Sequence, residues 1–331
     1  MPRLWGIVGQ DQAASTLEAQ LASAKVGHAY LFTGPEGTGR GTMARALFMA
    51  LNCQDPAPDQ SPCGSCIHCT KALGWKHEDL VVLAPASSGP SAQIKVEQIR
   101  EVIRLCSIKP FSAHTRIVLI REAHHMNPQA AGALLKTLEE PPPGNILVLT
   151  SSDPGRLLPT ITSRCQTIAF SPLPTKLIEA ELLARGVEPA EARTRAALAA
   201  GSLGRALEID PTQLAQDLEW VVSAVCGVLD LGEAWAVAEK LVERFRSKGG
   251  LDRQGLARVL ELAGVYFRDL AAGPVGGQQL VAGLIKSPPM KPKQALEAFF
   301  VLEETRASIL ENINPVPLLA LAVHRLNKPA E

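Results

Sequence analysis

Residues 31–47, LFTGPEGTGRGTMARAL, set closely spaced glycines between a short apolar run and an amphipathic, helix-like segment. No other feature constrains the fold as strongly. A glycine-rich turn leading from a buried strand into a helix aims backbone N–H groups at one point, where the helix N-terminus also favours an anion. Further apolar runs follow at 79–85, 116–122 and 145–152. Short runs that are apolar throughout suit parallel strands buried on both faces. Helical patterns lie between them, and 127–140, NPQAAGALLKTLEE, is the clearest. Asn127 suits its N-cap, Pro128 its first helical position, and Ala131, Leu134, Leu135 and Leu138 share one face, before PPPG at 141–144 ends it. Strand–helix alternation predicts a doubly wound α/β domain to about residue 170.

A phosphate loop that supports hydrolysis divides its work. Backbone amides cradle the phosphates, a lysine reaches the β- and γ-phosphates, and the next hydroxyl holds magnesium. Here Gly34, Gly37 and Gly39 keep the turn, but Arg40 stands in the lysine position and Gly41 in the hydroxyl position. A planar guanidinium is no simple replacement for a compact ammonium. Thr42 arrives one residue late and points elsewhere on a helix. A second acidic site is expected after a later strand, where an aspartate holds magnesium beside a glutamate that helps activate water. RIVLIREAHH supplies Glu122, but Arg121 precedes it and would repel the metal. Losses at two distant points favour a site that does not hydrolyse ATP. Binding of ATP or ADP without turnover stays open, as does an ordinary strand–turn–helix that keeps glycines only for the turn. An active ATPase using Arg40 and an atypical metal site is the competing enzyme reading.

Four of the seven cysteines fall within 17 positions, in CQDPAPDQSPCGSCIHC. Cys53, Cys63, Cys66 and Cys69 suit a closed tetrahedral thiolate site for structural zinc, with iron–sulfur ligation as the alternative. His68 lies inside the cluster but breaks the regular spacing as a ligand. Cys106, Cys165 and Cys226 are scattered. A zinc-dependent DNA-binding module is therefore a rival of a different class. The charge balance of 33 basic and 33 acidic side chains speaks against bulk capture of nucleic acid. The opening residues hold no apolar core of signal-peptide length, and no run approaches the roughly 20 apolar residues that span a bilayer. The expectation is a cytoplasmic protein with no membrane partner.

Beyond about residue 173 the pattern turns helical. Residues 173–208 form a compact stretch ending in GSLGRALEI, and a longer helical region follows, with loops expected at 271–279 and 286–294.

Together, GPEGTGRGTMARALFMALNC, the four-cysteine module, ALLKTLEEPP followed by SRC, GSLGRAL and ENINPVPLLALAVHRL resemble the bacterial clamp-loader AAA+ family over most of the chain. The resemblance implies a RecA-like AAA+ α/β domain at 1–171 with the zinc module at about 53–69. It also implies a small helical lid at 172–209 and an all-α collar, for oligomerisation, at 210–331. Motor subunits (gamma or tau) and a delta subunit would be partners in a hetero-oligomeric ring, with the sliding clamp and primed DNA engaged through the assembly. On the same ground the chain would be a non-catalytic subunit of a DNA-directed DNA polymerase holoenzyme, acting in DNA replication. Arg164, in Ser163-Arg164-Cys165, would be an arginine finger reaching a neighbour's γ-phosphate, where an arginine in trans stabilises developing charge. One departure concerns the lid: motor subunits carry arginine in the fourth position of GSxR, where this chain has Gly204, with Arg205 one place later.

Overall fold

The computed structural model describes residues 6–57, 61–85, 93–226, 230–247, 250–273, 290–310 and 313–327. The chain divides into two compact units. The first holds residues 1–87, 92–185 and 199–207, and the second holds 88–91, 186–198 and 208–331. Residues 172–209 are thus shared between them.

In the first unit, β1 (Ala29–Thr33), β2 (Leu80–Leu83), β3 (Arg116–Ile120), β4 (Asn145–Ser151) and β5 (Gln166–Ala169) form one sheet in the order β2-β3-β4-β1-β5. Every pairing is parallel, so each connection must cross a face of the sheet. This is the α/β sheet expected of the AAA+ class. Tyr30, Phe32, Ile117 and Leu119 enter one core, with Leu17 from α1 (Asp11–Ala22) and Phe48 from α2 (Arg40–Asn52). Their strand neighbours Leu31, Val118 and Ile120 enter a second core, with Val102 from α4 (Val96–Cys106) and Leu138 from α5 (Pro128–Glu139). In β1, β3 and β4 successive side chains point to opposite faces and both are covered, which is why they read as apolar runs; β2 reads as such a run too, but it is an edge strand with Leu80 buried and Val82 40% exposed. In the cysteine module, α3 (Ile67–Leu73) sets Cys69 and Ala72 into the first core.

Helix α5 starts as its sequence predicts, with Asn127 Oδ1 accepting from Ala130 N at 2.8 Å. Ala131, Leu134 and Leu138 are buried, while Leu135 lies half-buried at the edge of that face. Strand β5 is an addition to the expected set. It is an edge strand in which Ile168 alone is buried, so its sequence lacks an apolar run.

Of the connecting helices, α6 (Pro159–Thr162), α7 (Thr175–Ala184) and α9 (Leu203–Glu208) belong to the first unit, and α8 (Pro189–Leu198) falls in the second. The second unit otherwise gathers α10 (Pro211–Cys226), α11 (Leu231–Arg244), α12 (Arg253–Ala272), α13 (Pro292–Leu310) and α14 (Pro315–Asn327). They share a core in which Leu218, Leu241, Leu260, Phe267, Leu302 and Leu319 meet. Helices α11 and α12 begin on side-chain caps, Asp230 accepting from Glu233 N at 2.8 Å and Asp252 from Gly255 N at 2.9 Å. Between them lies a short antiparallel pair, β6 (Arg246–Ser247) with β7 (Gly250–Leu251), that helical periodicity does not announce. Of the expected loops, 274–279 and 286–289 fall outside the described residues, whereas 271–272 still belong to α12 and 292–294 already to α13, so both loops are shorter than the Gly- and Pro-rich composition suggests. Among the described residues, no helix is long and apolar enough to cross a membrane.

One polar node ties the sheet to the loop before β3. Asp79 is fully buried and accepts from the amides of Phe111 and Ser112 at 2.8 Å, Ala113 at 3.0 Å, and Arg116 Nη2 at 3.0 Å. Arg116 donates onward to the carbonyls of Leu105, Ile108 and Lys109. Burial pushes the Asp79 carboxyl up, but the three amides and Arg116 outweigh it and leave its pKa below the ordinary value. A depressed folded-state pKa adds stability that is complete above the unfolded value near 3.9 and disappears as pH falls through the folded value. Asp79→Asn should therefore destabilise the protein by about 3–5 kcal/mol at neutral pH, because it leaves Arg116 buried without its counter-charge. In urea titrations the gap between variant and parent should narrow below about pH 4; a gap that does not change with pH would contradict this account.

Candidate functional site

The glycine loop opens α2 as expected, with Gly39 at φ +100° in the N-cap position. What faces it comes from this same chain. Gly34 lies against the backbone carbonyl of Phe170, which a Cβ would overlap. At Gly37, φ is +75° and the space a Cβ would need is taken by the Ser202 hydroxyl. Gly37 O also accepts from Gly204 N at 3.0 Å. Ser202 holds the start of α9 by accepting from Arg205 N at 3.1 Å. A Cβ on Gly204 would sit 3.1 Å from Gly37 Cα, so the fourth position of GSLG is glycine where α9 meets the loop backbone. The GSLG segment and the glycine loop are therefore fitted to each other. The departure at 204 had been legible, but its packing reason had not.

The residues in the lysine and glutamate positions, Arg40 and Glu122, also meet. Arg40 is 4% exposed, and its Nη2 lies 2.6 Å from Glu122 Oε1. The other carboxylate oxygen accepts from Ser152 N at 3.0 Å and Ser152 Oγ at 2.7 Å. Glu122 follows β3 in a left-handed conformation, φ +48°, with its amide held by Thr150 Oγ1 at 3.0 Å. Burial alone would raise the Glu122 pKa, yet the Arg40 charge and the Ser152 donors hold it below the ordinary value. Burial likewise pulls Arg40 down, against the Glu122 charge. A carboxylate committed to a guanidinium, an amide and a hydroxyl has little capacity left to activate water or bind a metal. Arg121 is exposed beside it, its amide bonded to Leu83 O at 2.7 Å. Thr42 is elsewhere, lining a cavity of about 250 Å3 with Arg45, Met49, Pro62 and Leu73 among others. His124 is buried, with Nδ1 3.1 Å from Ser151 Oγ, and belongs to the packing under this site.

Cys53, Cys63, Cys66 and Cys69 do converge, their sulfurs all lying within 4.8 Å of one another. A tetrahedral thiolate shell with metal–sulfur bonds of about 2.3 Å fits such a cluster. Backbone amides already point at the sulfurs: Cys63 N donates to Cys53 Sγ and Cys66 N to Cys63 Sγ, both at 3.3 Å. The Cys66 amide is the main reason the Cys63 thiol is lowered to about 6, towards the thiolate that a metal needs. Burial pushes the Cys69 thiol the other way. His68 is engaged outside the cluster, with Nδ1 2.8 Å from His77 Nε2. Because His77 Nδ1 accepts from Asp79 N at 3.0 Å, its Nε2 carries the proton that it donates to His68. The group can hold a metal ion through the four sulfurs.

Arg164 lies apart from both places and is 34% exposed. Its Nε donates to Glu139 Oε1 at 2.6 Å and its Nη1 to Thr160 O at 2.9 Å, while Nη2 also pairs with Glu139. Sequence spacing gave no sign of this partner, although Glu139 stands within the ALLKTLEEPP block itself.

Gly37→Ala tests the fit between loop and α9. The substitution combines a left-handed backbone with an overlap at Ser202, and should lower stability by roughly 1–3 kcal/mol in urea titration. Adding Ser202→Gly should recover the part due to the overlap; no recovery would mean that α9 is not docked on the loop.

Comparison with known proteins then places the chain. A family model described as DNA polymerase III, delta subunit, matches residues 9–174. The tau subunit of DNA polymerase III from Escherichia coli K12 is 32% identical over 249 residues, covering 72% of this chain and 38% of tau. The delta' subunit of Pseudomonas aeruginosa PAO1 is 35% identical over 218 residues, covering 63% of this chain and 65% of that subunit. Its counterpart in Bacillus subtilis 168 is 35% identical over 184 residues, covering 56% and 54%. In each case the chain spans less than two thirds of the relative's own length. With half the chain matched by the family model, and the glycine loop and most of the sheet inside the match, the chain belongs to the DNA polymerase III clamp-loader family.

Proposed function

We propose that this chain is a subunit of the replicative sliding-clamp loader that does not itself hydrolyse ATP, in the manner of a delta' subunit. The observation that carries the reading is the Arg40–Glu122 pair. The residue in place of the phosphate-binding lysine neutralises the residue in place of the water-activating glutamate. Ser202 and Gly204, set against Gly37, give further support. Its remaining part in ATP chemistry is Arg164, offered in trans to the ATP of a neighbouring motor subunit (gamma or tau). A lid at 172–209 and a collar at 210–331 would hold it in a ring that includes a delta subunit, and the assembly would act on the clamp and primed DNA. The competing reading, an ATP-hydrolysing motor subunit, is favoured by the tau relative. ATP turnover by the purified chain, abolished by Arg40→Ala, would establish that reading.

The test of the main reading is Arg164→Ala in the reconstituted loader. Assembly should be unchanged, while hydrolysis at the ATP site beside this chain falls by roughly a thousandfold or more. Pre-steady-state phosphate release would show this as one phase lost from the total. Full retention of every phase would sink the arginine-finger role.

For the cysteine cluster the proposed ion is structural zinc. Four thiolates leave no open coordination position, so the metal would contribute folding energy and no catalytic step. Metal analysis of protein purified without added metal should give one zinc per chain. Chelation should lower the thermal midpoint of the N-terminal unit. Iron in that measurement, or no metal, would refute the assignment.

A further inference from the structure

The contacts of Arg164 bear on how such a finger would be presented, and the inference from them rests on the arginine-finger reading above. A guanidinium has a side edge, formed by Nε and one terminal nitrogen, and an end edge, formed by the two terminal nitrogens. In this chain the side edge is taken by Glu139, through Nε at 2.6 Å and through Nη2. The third nitrogen, Nη1, donates to Thr160 O at 2.9 Å, one turn back along α6. Nη1 also donates to Ser163 Oγ at 3.4 Å. These contacts use four of the five N–H donors, and the one left over is on Nη2. A phosphoryl oxygen meeting it would find a guanidinium already fixed on its other sides.

We infer that Glu139 is a positioning residue for Arg164: it grips the side of the guanidinium and leaves an Nη2 donor for the neighbour's γ-phosphate. The two residues come from different elements, Glu139 from the last turn of α5 and Arg164 from just past α6. Their pairing therefore locks the finger to a helix that is itself buried along one face by Ala131, Leu134 and Leu138. Free arginine side chains carry considerable rotamer entropy, and holding one in a near-attack geometry removes that loss from the transition state. Stability is a poor explanation for the contact, since Glu139 is 48% exposed and exposed ion pairs contribute little to folding. A brake is the opposite possibility: a carboxylate that sequesters the finger would leave no donor open, whereas here one N–H of Nη2 is left over.

The experiment uses the reconstituted loader, with the phase of phosphate release lost in Arg164→Ala defining the site this chain serves. Glu139→Ala should slow that phase by roughly ten- to a hundredfold, with the ATP concentration for half-saturation and the thermal midpoint both unchanged. Glu139→Gln keeps a carbonyl oxygen able to accept from Nε, and should restore the rate to within about threefold of the parent. A Glu139→Ala rate equal to or above that of the parent would overturn the inference, the faster result identifying a brake. So would a glutamine variant as slow as the alanine one. If Arg164→Ala removes no phase, the arginine-finger reading fails and the positioning role fails with it; a phase lost there but insensitive to Glu139 removes the positioning role alone.

Discussion

The polar interior at the nucleotide-fold end of this chain turns on the buried contact between Arg40 and Glu122. Placing either charge there alone would be costly, because an unpaired buried ion loses its hydration without compensation. Together, and with Ser152 supplying two further donors to Glu122, they form a polar cluster, although Arg40 Nη1 is buried there without a hydrogen-bond partner. Such pairs often add little net stability relative to apolar replacements, but they strongly resist the loss of one member. The pair thus behaves as a single substitution: replacing either residue alone strands the other.

That coupling changes how the sequence differences weigh. Arg40 and Glu122 are 82 positions apart, and as sequence they look like separate observations about phosphate and water. In three dimensions they are one contact. Gly41 and Arg121 remain as independent departures, each removing a magnesium ligand position. The departure at Gly204 is a contact of its own, its close approach to Gly37 fitting α9 to the loop.

What was legible in the sequence follows from how local each signal is. Strands β1, β3 and β4 announced themselves because both faces are buried and every residue must be apolar or paired. Strand β5 did not, since an edge strand with one buried side chain in four gives no run to read. The two-residue strands β6 and β7 lie below any periodicity. The cysteine cluster was legible because three of its four members are fixed by spacing within one short turn, and metal geometry supplies the constraint. Asp79 with Arg116, and Arg164 with Glu139, were invisible as pairs. Each pair joins separate elements, and nothing in a chain's composition says which carboxylate an arginine will find. Ser202 was hidden for a related reason: the loop glycines suggested an external ligand, while the group that fills the space at Gly37 is far along the chain.

Three arginines show how burial sorts one side chain into different roles. Arg116, 6% exposed, spends its donors on backbone carbonyls and Asp79, and its consequence is the shape of the loop before β3. Arg40, 4% exposed, spends a donor on Glu122. Arg164 is the exception, one third exposed, held by Glu139, Thr160 and Ser163 with one Nη2 donor left over. Of the three, it alone combines a fixed orientation with partial exposure. On the proposed reading, the same physical property that retires the chain's own ATP site, a guanidinium held by a glutamate, is what makes its remaining arginine useful to a neighbour; the difference lies in whether solvent, and hence a partner, can reach the guanidinium.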